Sequence, residues 1–531
     1  MALVPVRMRR LLVEGGKELL VRSNRNAPMR FAGRRAYDVM QAVIRQRFGS
    51  VRGVKAVYLC HSLALGECYP GLSDFDLAVV FDDPEPLEFY GRIRQTWGSL
   101  KRYLPISDLS ILSIAEFEEW QMRGGGWDPL DEVRHWKLIA GKELRHDVFD
   151  QSGSAAALDR MQWALGHFHN LLGVGIKEEP QSALMAVIAR RQLHKCFWNT
   201  VLALDPKYLA ASSHRERVAL WIEDFGTPYP VSELQQMYSD QFTSGPVTVL
   251  RFAAASLAYR LVSESLSQNP LLARPLYRPH DNGFAIPIAN ESEVVERMTA
   301  MCASVREMIE EKLECVMLGS TGTVRGYSIY IILRDGLSDV EIAGALRDIR
   351  AIHRVFDDPW FNEHFPAGIP TVCSRTMFLA RLQSGRSSLH YFEKFRRVLF
   401  GADLYEEAIS ADAEIVIGPT DRLEDWAREH LLYSLHLHQV YLARLKPALH
   451  DYVTFYYPRM LLQRVQGSVP ATAEEAVVAL AGLPDGVESL PGQMLDAYGG
   501  KDLDALLKTM DWDAFTEAWP MLRKGLHPAT R

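Results

Sequence analysis

Two short apolar runs, separated by a turn-rich segment, constrain the fold of this chain more than any other feature. The runs are 57–59 (VYL) and 77–81 (LAVVF), and their length and composition predict two buried, neighbouring strands. Asp74 and Asp76 stand at the head of the second run. Because side chains two apart on a strand point to the same face, the two carboxylates are predicted to lie side by side. Adjacent carboxylates repel each other unless a cation lies between them, so the pattern predicts a metal site.

This segment resembles the nucleotidyltransferase superfamily, which includes polymerase beta and the aminoglycoside nucleotidyltransferases. The family pattern is an apolar strand, Gly-Ser, a Gly a few residues later, and Ser-Asp-apolar-Asp on the next strand. His61 stands where the family has the Gly before the Ser, and Leu65 stands where many members place Arg. The residues that match the pattern are Ser62, Ala64, Gly66, Glu67, Ser73, Asp74, Asp76 and Leu77.

The resemblance implies a magnesium-dependent transfer of a nucleoside monophosphate from a triphosphate, with ATP as the expected substrate. Asp74 and Asp76 would hold the metal, and two ions are expected. A third carboxylate lies on the adjacent strand in this family, and Asp108 on the predicted strand 104–112 is the candidate; it could instead be an ordinary strand-edge aspartate. Three glutamates just beyond that strand are the alternatives: Glu116, Glu118 and Glu119.

The same resemblance assigns nucleotide contacts to Ser62, Ser73 and the backbone around Gly66, where missing side-chain bulk allows phosphates to approach closely. His61 leaves three alternatives open. Its imidazole could crowd the phosphates, donate a hydrogen bond in place of the missing Arg, or pack as a structurally neutral side chain. The sequence does not decide between these alternatives.

Length and composition are those of a globular protein with more than one core. The chain has 531 residues, of which 48% are hydrophobic and 24% charged, and a length of this order predicts about three or four domains. No apolar run is long enough to predict a membrane span or a secretory signal. The six cysteines lack Cys-x-x-Cys spacing, which argues against zinc and a disulfide framework and makes the reducing cytoplasm the expected location.

The charge distribution is uneven. The net charge of −7 argues against a general nucleic-acid binder, yet basic residues greatly outnumber acidic ones between Arg7 and Lys55. This basic segment is either a solvated helical face or a site for an anionic acceptor. Both interpretations stay open at this point.

Residues 155–267 show helical patterns and few strand signals. The clearest helix is 184–204, whose polar side is formed by four basic residues. In polymerase-beta-like enzymes a helical domain packs across the cleft and sends a basic residue to the triphosphate. The resemblance implies this role for Arg191 and Lys195, whereas a solvated helix face would explain them equally well. The four basic residues are Arg190, Arg191, His194 and Lys195.

A second copy of the same unit is predicted after a proline-rich linker, and this copy lacks the acids. Gly319-Ser320 falls on His61-Ser62, residues 327–330 fall on 73–76, and residues 398–404 answer 138–144. Cys373 falls on Asp108. Four landmarks in one order indicate a duplicated unit. Without carboxylates the second copy cannot hold magnesium in the usual way, so either packing or a retained binding role is expected of it.

The predicted fold class is α+β, a tandem duplication of a nucleotidyltransferase-fold mixed-sheet domain followed by a helical domain. The predicted divisions are a basic segment 1–35, a catalytic domain 36–150, a helical domain 151–268, a linker 269–290, a degenerate domain 291–410 and a second helical domain 411–531.

The acceptor is expected to be a small-molecule hydroxyl, because one competent domain, a helical partner and no basic nucleic-acid surface are predicted. A protein acceptor is the next alternative, since the adenylyltransferases of glutamine synthetase also carry tandem nucleotidyltransferase domains. RNA comes third, and no membrane partner is expected. A different class of function is a retired nucleotide-binding or scaffold protein, in which His61 and the acid-free copy mark lost catalysis.

Overall fold

A computed structural model of the chain shows a mixed α+β protein with two four-stranded sheets and about thirteen helices in its described part. None of the helices among these residues is long and apolar enough to cross a membrane. The structure describes residues 27–66, 68–82, 86–114, 117–118, 121, 135–146, 154–176, 180, 183–211, 213–235, 247–269, 291–320, 327–352, 360, 365, 370–384 and 396–409.

The first sheet has the spatial strand order β3-β2-β1-β4. β1 pairs antiparallel with both β2 and β4, whereas β2 and β3 run parallel. The elements of this unit are α1 (Ala27–Gly49), β1 (Val54–Cys60), α2 (His61–Ala64), β2 (Phe75–Phe81), α3 (Pro86–Lys101), β3 (Ile106–Ser113) and β4 (Lys137–Gly141).

Both faces of this sheet are covered, which is why the central strands are continuous apolar runs rather than alternating ones. On one face, α1 and α3 bring aromatic rings onto β2: Phe89 stacks on Phe81 with ring centroids 4.3 Å apart. On the other face, Tyr58 stacks on Phe117 at 5.3 Å and lies 6.2 Å from Trp136. The centre and the far end of β2 are therefore packed against aromatic side chains from both faces of the sheet.

Six helices follow and form a layer with an apolar interior. α5 buries Phe197 and Trp198, and α7 adds Trp221, whose ring lies 5.4 Å from that of Trp198. The helices are α4 (Ser154–Ile176), α5 (Ala183–Leu202), α6 (Pro206–Leu209), α7 (His214–Phe225), α8 (Val231–Gln235) and α9 (Val247–Ser267).

The second sheet packs against this helical layer. α9 contacts β7 and the helices beside it, and Ser263 donates from its hydroxyl to that of Ser374 at 2.9 Å. One buried cluster runs without a break from α4 into this sheet. The elements are α10 (Glu291–Ile309), β5 (Leu313–Ser320), β6 (Tyr327–Leu333), α11 (Asp339–Ile352), β7 (Thr371–Ser374), α12 (Arg375–Ser384), β8 (Arg397–Gly401) and α13 (Leu404–Ala408).

The two sheets have the same architecture. The second has the order β7-β6-β5-β8, with the same parallel and antiparallel pairings as the first. Bulges also fall at matching places: β1 is irregular between Val54 and Ala56, and β5 between Leu313 and Cys315. The pairing with the fourth strand shifts between Val57 and Tyr58 in one sheet and between Val316 and Met317 in the other.

Matching these bulges corrects part of the predicted alignment. Residues 398–404 do answer 138–144, since β8 pairs with β5 as β4 pairs with β1. Gly319, however, pairs with Ser328 as Cys60 pairs with Asp76, so Ser328 and not Tyr330 takes the place of Asp76. The pairing between the strands is set by hydrogen bonds that the sequence does not display, so the predicted alignment of these landmarks was one or two residues out of register.

The predicted position of Cys373 was also wrong. Cys373 pairs with Ile332 on β6, as Leu112 pairs with Val80 on β2, so Cys373 answers Leu112 and not Asp108. The short strand β7 begins only at Thr371, and the position that would answer Asp108 lies outside the described residues.

Several predicted boundaries also change. The helix α1 begins at Ala27 and ends at Gly49, so it crosses the predicted division at residue 35. The linker beyond Asn269 and the second helical domain, 411–531, lie outside the described residues, as do most of residues 1–35.

Gly141 is the residue at which the close approach of β4 and β1 is most sensitive to substitution. Its φ is +84°, and a Cβ there would lie 2.1 Å from the carbonyl oxygen of Lys55. We expect Gly141→Ala to lower the free energy of unfolding by about 3 kcal/mol through backbone strain and overlap. Urea unfolding measures the change.

Gly166 provides the matched control. It lies in α4 with open space around the position of a Cβ, so Gly166→Ala should leave the stability unchanged or raise it by about 0.5–1 kcal/mol. Equal stabilities for the two alanine variants would show that the approach of β4 to β1 is looser than described.

Candidate functional site

The predicted carboxylates lie at one end of the first sheet. Asp74 directly precedes β2, and Asp76 is its second residue, paired across the sheet with Cys60. α2 begins at His61, immediately after that pair. Both aspartates are half-buried, in contrast to their apolar neighbours Phe75 and Leu77. The alternation places the two carboxylates at the same edge and leaves them accessible from solvent.

The neighbouring parallel strand brings Asp108 to the same edge by its position in the register. Phe75 pairs with Ile106 and Leu77 pairs with Leu109, so the strand β3 carries one extra residue at this point. Asp76 therefore stands opposite the two β3 positions 107 and 108. The backbone of Asp108 therefore lies beside the head of β2, and its role as a third carboxylate stays a prediction.

A short loop, 69–74, sets the position of Asp74. The Ser73 hydroxyl accepts a hydrogen bond from the Tyr69 amide at 2.9 Å, and the Ser73 amide donates to the Tyr69 carbonyl at 2.8 Å. Ser73 is only 1% exposed. Its side chain thus holds the loop closed in this structure, whereas the sequence assigned it a nucleotide contact.

Helix α1 holds the loop from the side of the N-terminal segment. The Tyr37 hydroxyl donates to the Ser73 carbonyl oxygen at 2.5 Å, and the Tyr37 ring stacks on Phe75 with centroids 5.4 Å apart. Burial raises the pKa of Tyr37 to about 12 and that of the nearby Cys68 thiol to about 11, so both groups stay protonated near neutral pH.

Helix α5 holds the loop from the opposite side and brings a positive charge to it. The Arg191 Nη2 donates to the Ser73 hydroxyl at 3.5 Å, and its guanidinium lies 5.5 Å from the centroid of the Tyr69 ring. Of the two basic residues that the resemblance assigned to the triphosphate, Arg191 contacts the loop that leads into Asp74. Lys195 lies one turn further along α5 and is exposed.

The alternative of a solvated helix face is wrong for two of the four basic residues on α5. Arg190 and His194 are 5% and 6% exposed, and the His194 ring lies 5.9 Å from that of His214. Burial lowers the pKa of both imidazoles, and the charges of Arg191 and Arg217 act in the same direction. These two histidines are neutral parts of the core rather than a basic surface.

The residues after β1 adopt conformations that explain part of the family pattern. His61 has a φ of +54° and is the only residue other than glycine with a positive φ in the described part of the chain. A left-handed backbone is most favourable for glycine, which is the residue that the family places here. Ser62 is half-buried, and Gly66 is exposed with a φ of +80° and open space around it.

The donor set suits magnesium. Carboxylate oxygens are hard ligands, and Mg²⁺ is usually bound through one or two carboxylates together with waters and substrate phosphates rather than by a complete protein cage. Asp74 and Asp76 supply such a partial set. No group of three or more His, Cys, Asp or Glu residues that could hold a metal occurs among the described side chains, which do not include that of Asp108.

Sequence reasoning missed three residues of this site. Tyr37 and Gly33 lie on α1, and Tyr69 lies in the loop; a Cβ on Gly33 would come within 2.8 Å of Pro70, so α1 and the loop touch there. A glycine inside a helical pattern is a weak signal of such close approach. Nothing in the sequence indicated which loop the helix would meet.

Comparisons with models of protein families, with curated proteins and with solved structures found no match to this chain.

Proposed function

We propose that the first sheet unit is a magnesium-dependent nucleotidyltransferase that moves a nucleoside monophosphate from a triphosphate, expected to be ATP, to a hydroxyl group. One observation carries the proposal: two half-buried carboxylates lie at the head of β2, beside the Asp108 position on β3, and the Arg191 guanidinium from the helical layer reaches Ser73, the residue directly before them. Carboxylates opposite a cation suit a magnesium–triphosphate complex, in which positive and negative groups alternate.

The reaction forms a bond from the acceptor oxygen to the α-phosphorus and breaks the bond between the α-phosphorus and the bridging oxygen, releasing pyrophosphate. Magnesium, when bound, neutralises phosphate charge and aligns the attacking and leaving oxygens. Asp74 and Asp76 would hold the magnesium. Asp108 would either complete the metal site or accept the proton of the acceptor hydroxyl. Ser62 and the exposed Gly66 backbone would border the phosphates, while Ser73 keeps Asp74 in place.

Arg191 is expected to bind the triphosphate directly. We predict that Arg191→Met, which preserves much of the apolar stem, weakens magnesium–ATP binding about tenfold, because a charge-assisted contact is worth about 1.5 kcal/mol. Calorimetric titration measures the affinity. The matched control is Lys195→Met on the same helix; equal losses in the two variants would indicate a general effect of charge, and no loss for Arg191→Met would remove Arg191 from the site.

We also infer that the two sheet units arose by duplication and that the second has lost its chemistry. Matching bulges, strand order and the paired glycines Gly141 and Gly401 support the duplication; a Cβ at the latter would lie 2.2 Å from the carbonyl of Glu314. Ser328 replaces Asp76, so the second unit lacks that metal ligand. Its continuous core with the helical layer supports a packing role.

The acceptor is proposed to be a small molecule, with a protein acceptor as the alternative. The cytoplasm is the proposed location, in keeping with six free cysteines. The test supplies ATP labelled at the α-phosphate, magnesium, and cell extract separated into a small-molecule fraction and a protein fraction. Label transferred to a small molecule supports the proposal; label on protein selects the alternative, and no transfer with either fraction contradicts a transferase.

A retired nucleotide-binding scaffold is the second candidate, and His61 is the observation that favours it. A bulky side chain at φ +54° stands where the family has glycine, beside the proposed phosphate site. If His61 blocks turnover, His61→Gly should create transferase activity that the wild-type protein lacks. If wild-type protein transfers label, the scaffold alternative is wrong.

A further inference from the structure

We propose that Tyr37 is a positioning residue for the two carboxylates, because its hydroxyl fixes the peptide directly before Asp74 and its ring fixes the residue directly after it. The consequence for metal binding rests on the function proposed above. The effect on the loop itself does not depend on that function.

Tyr37 contacts the residues on both sides of Asp74. Its hydroxyl donates to the carbonyl oxygen of Ser73 at 2.5 Å, and its ring is stacked on Phe75 at an interplanar angle of 24°. The side chain is 8% exposed. With both flanking residues held by one rigid aromatic side chain, the backbone of Asp74 has little freedom to rotate.

With the hydrogen bond from Tyr37, the amide, the hydroxyl and the carbonyl of Ser73 all have hydrogen-bond partners. The Ser73 amide and hydroxyl are engaged by Tyr69 and Arg191, while the Ser73 carbonyl accepts the hydrogen bond of Tyr37. A buried carbonyl that loses its hydrogen-bond donor is destabilising, because it is left without a partner in a site that water does not reach. Removing the Tyr37 hydroxyl should therefore loosen this one peptide rather than the whole loop.

Tyr37 can position the loop because its own backbone is fixed. Ile44 and Phe48 on α1 are fully buried against the first sheet. Gly33, one turn before Tyr37, lies so close to Pro70 that a Cβ would come within 2.8 Å of the proline ring. The helix thus contacts the loop at two successive turns, so the position of α1 determines the position of Ser73.

A restraint on Asp74 is needed because two carboxylates of like charge lie side by side. Asp74 and Asp76 repel each other in the absence of a cation, so a loop without restraint would move Asp74 away. Partners outside the ligand shell that orient metal ligands typically change metal affinity by about 10–100-fold when they are removed. Tyr37 has the geometry of such a partner for the carboxylate at the loop end.

The test replaces Tyr37 by Phe, which keeps the ring and its stacking and removes only the hydroxyl. The first measurement is hydrogen exchange in the protein without ligand, read at the Phe75 amide, which donates to the Pro105 carbonyl at 2.7 Å. We expect exchange there to be about fivefold faster in Tyr37→Phe, which corresponds to about 1 kcal/mol. Tyr103→Phe, at a tyrosine that is 78% exposed, is the matched control.

The second measurement is the magnesium concentration that gives half-maximal ATP binding in calorimetric titrations. We expect Tyr37→Phe to raise it about tenfold, while ATP binding at saturating magnesium stays unchanged. If Tyr37 only stabilised the fold, Tyr37→Phe would weaken ATP binding at every magnesium concentration.

The outcomes separate this inference from the proposed function. Unchanged exchange at Phe75 in Tyr37→Phe overturns the positioning role, whatever the protein binds. Faster exchange with an unchanged magnesium requirement in a protein that binds ATP overturns the link to the metal and leaves the proposed function standing. A wild-type protein that binds no ATP contradicts the proposed function and the link to the metal together, while the exchange measurement still decides the role in the loop.

Discussion

Asp76→Asn is expected to weaken magnesium-dependent ATP binding roughly 100-fold or more, a loss of about 2.7 kcal/mol or greater. The amide keeps the size of the side chain but removes the charge on which magnesium binding depends. Asp76 is half-buried at the head of β2, so the neutral side chain should leave the fold intact. Asp74→Asn should behave in the same way. Calorimetry with and without magnesium measures both variants.

Asp82, directly after the last residue of β2, offers a matched control. It follows β2 at the opposite end and forms an exposed ion pair with Lys55 at 3.3 Å. Asp82→Asn should leave ATP binding unchanged, because an exposed pair contributes little and lies away from the site. Similar losses in Asp76→Asn and Asp82→Asn would mean that general charge, and not a metal site at the head of β2, governs binding.

Stability is expected to fall steeply as the pH is lowered from 7 to 5. His194 and His214 are buried and neutral, and burial holds the pKa of each well below 6.5 in the folded protein. In the unfolded chain both imidazoles take up a proton below about pH 6.5, so their contribution is complete above that pH and is lost as the pH falls. At pH 5 each costs about 2 kcal/mol, or about 4 kcal/mol together.

The other side chains near these histidines act in the same direction. Arg191 acts on His194 and Arg217 acts on His214, so the positive charge of each guanidinium opposes protonation of the imidazole. His167 contributes in the same sense, since burial and the charge of Lys195 lower its pKa to about 4.

Urea unfolding at pH 7.5 and pH 5.0 measures this loss. His214→Gln should reduce the difference in the free energy of unfolding between the two pH values by about 2 kcal/mol. A wild-type protein equally stable at both pH values would show that these imidazoles are not buried as neutral groups.

The sequence predicted the strands of the first sheet because its signals were local. Apolar runs at 57–59 and 77–81 lie within β1 and β2, and the predicted strand 104–112 contains most of β3. Helical periodicity likewise located α5, predicted at 184–204, to within a few residues. These signals depend on neighbours along the chain, which the sequence displays directly.

What the sequence could not supply was the register between distant strands and the burial of polar groups. The register that pairs Cys373 with Ile332, and so matches it to Leu112 and not to Asp108, depends on hydrogen bonds between strands. His194 carries a polar side chain in a helical pattern, so its burial beside His214 follows from tertiary packing alone. The functional roles of Asp74, Asp76 and Asp108 stay predictions; the structure places the first two carboxylates at the head of β2 and the backbone of Asp108 on the neighbouring strand.

The measurement that tests the central claim most directly is a calorimetric titration of ATP, and then of the other nucleoside triphosphates, into the folded wild-type protein with and without magnesium. A working site at the head of β2 predicts binding of at least one triphosphate that requires magnesium. Failure of the folded protein to bind any triphosphate, with magnesium present, would contradict the nucleotidyltransferase assignment and leave the paired sheets as a scaffold.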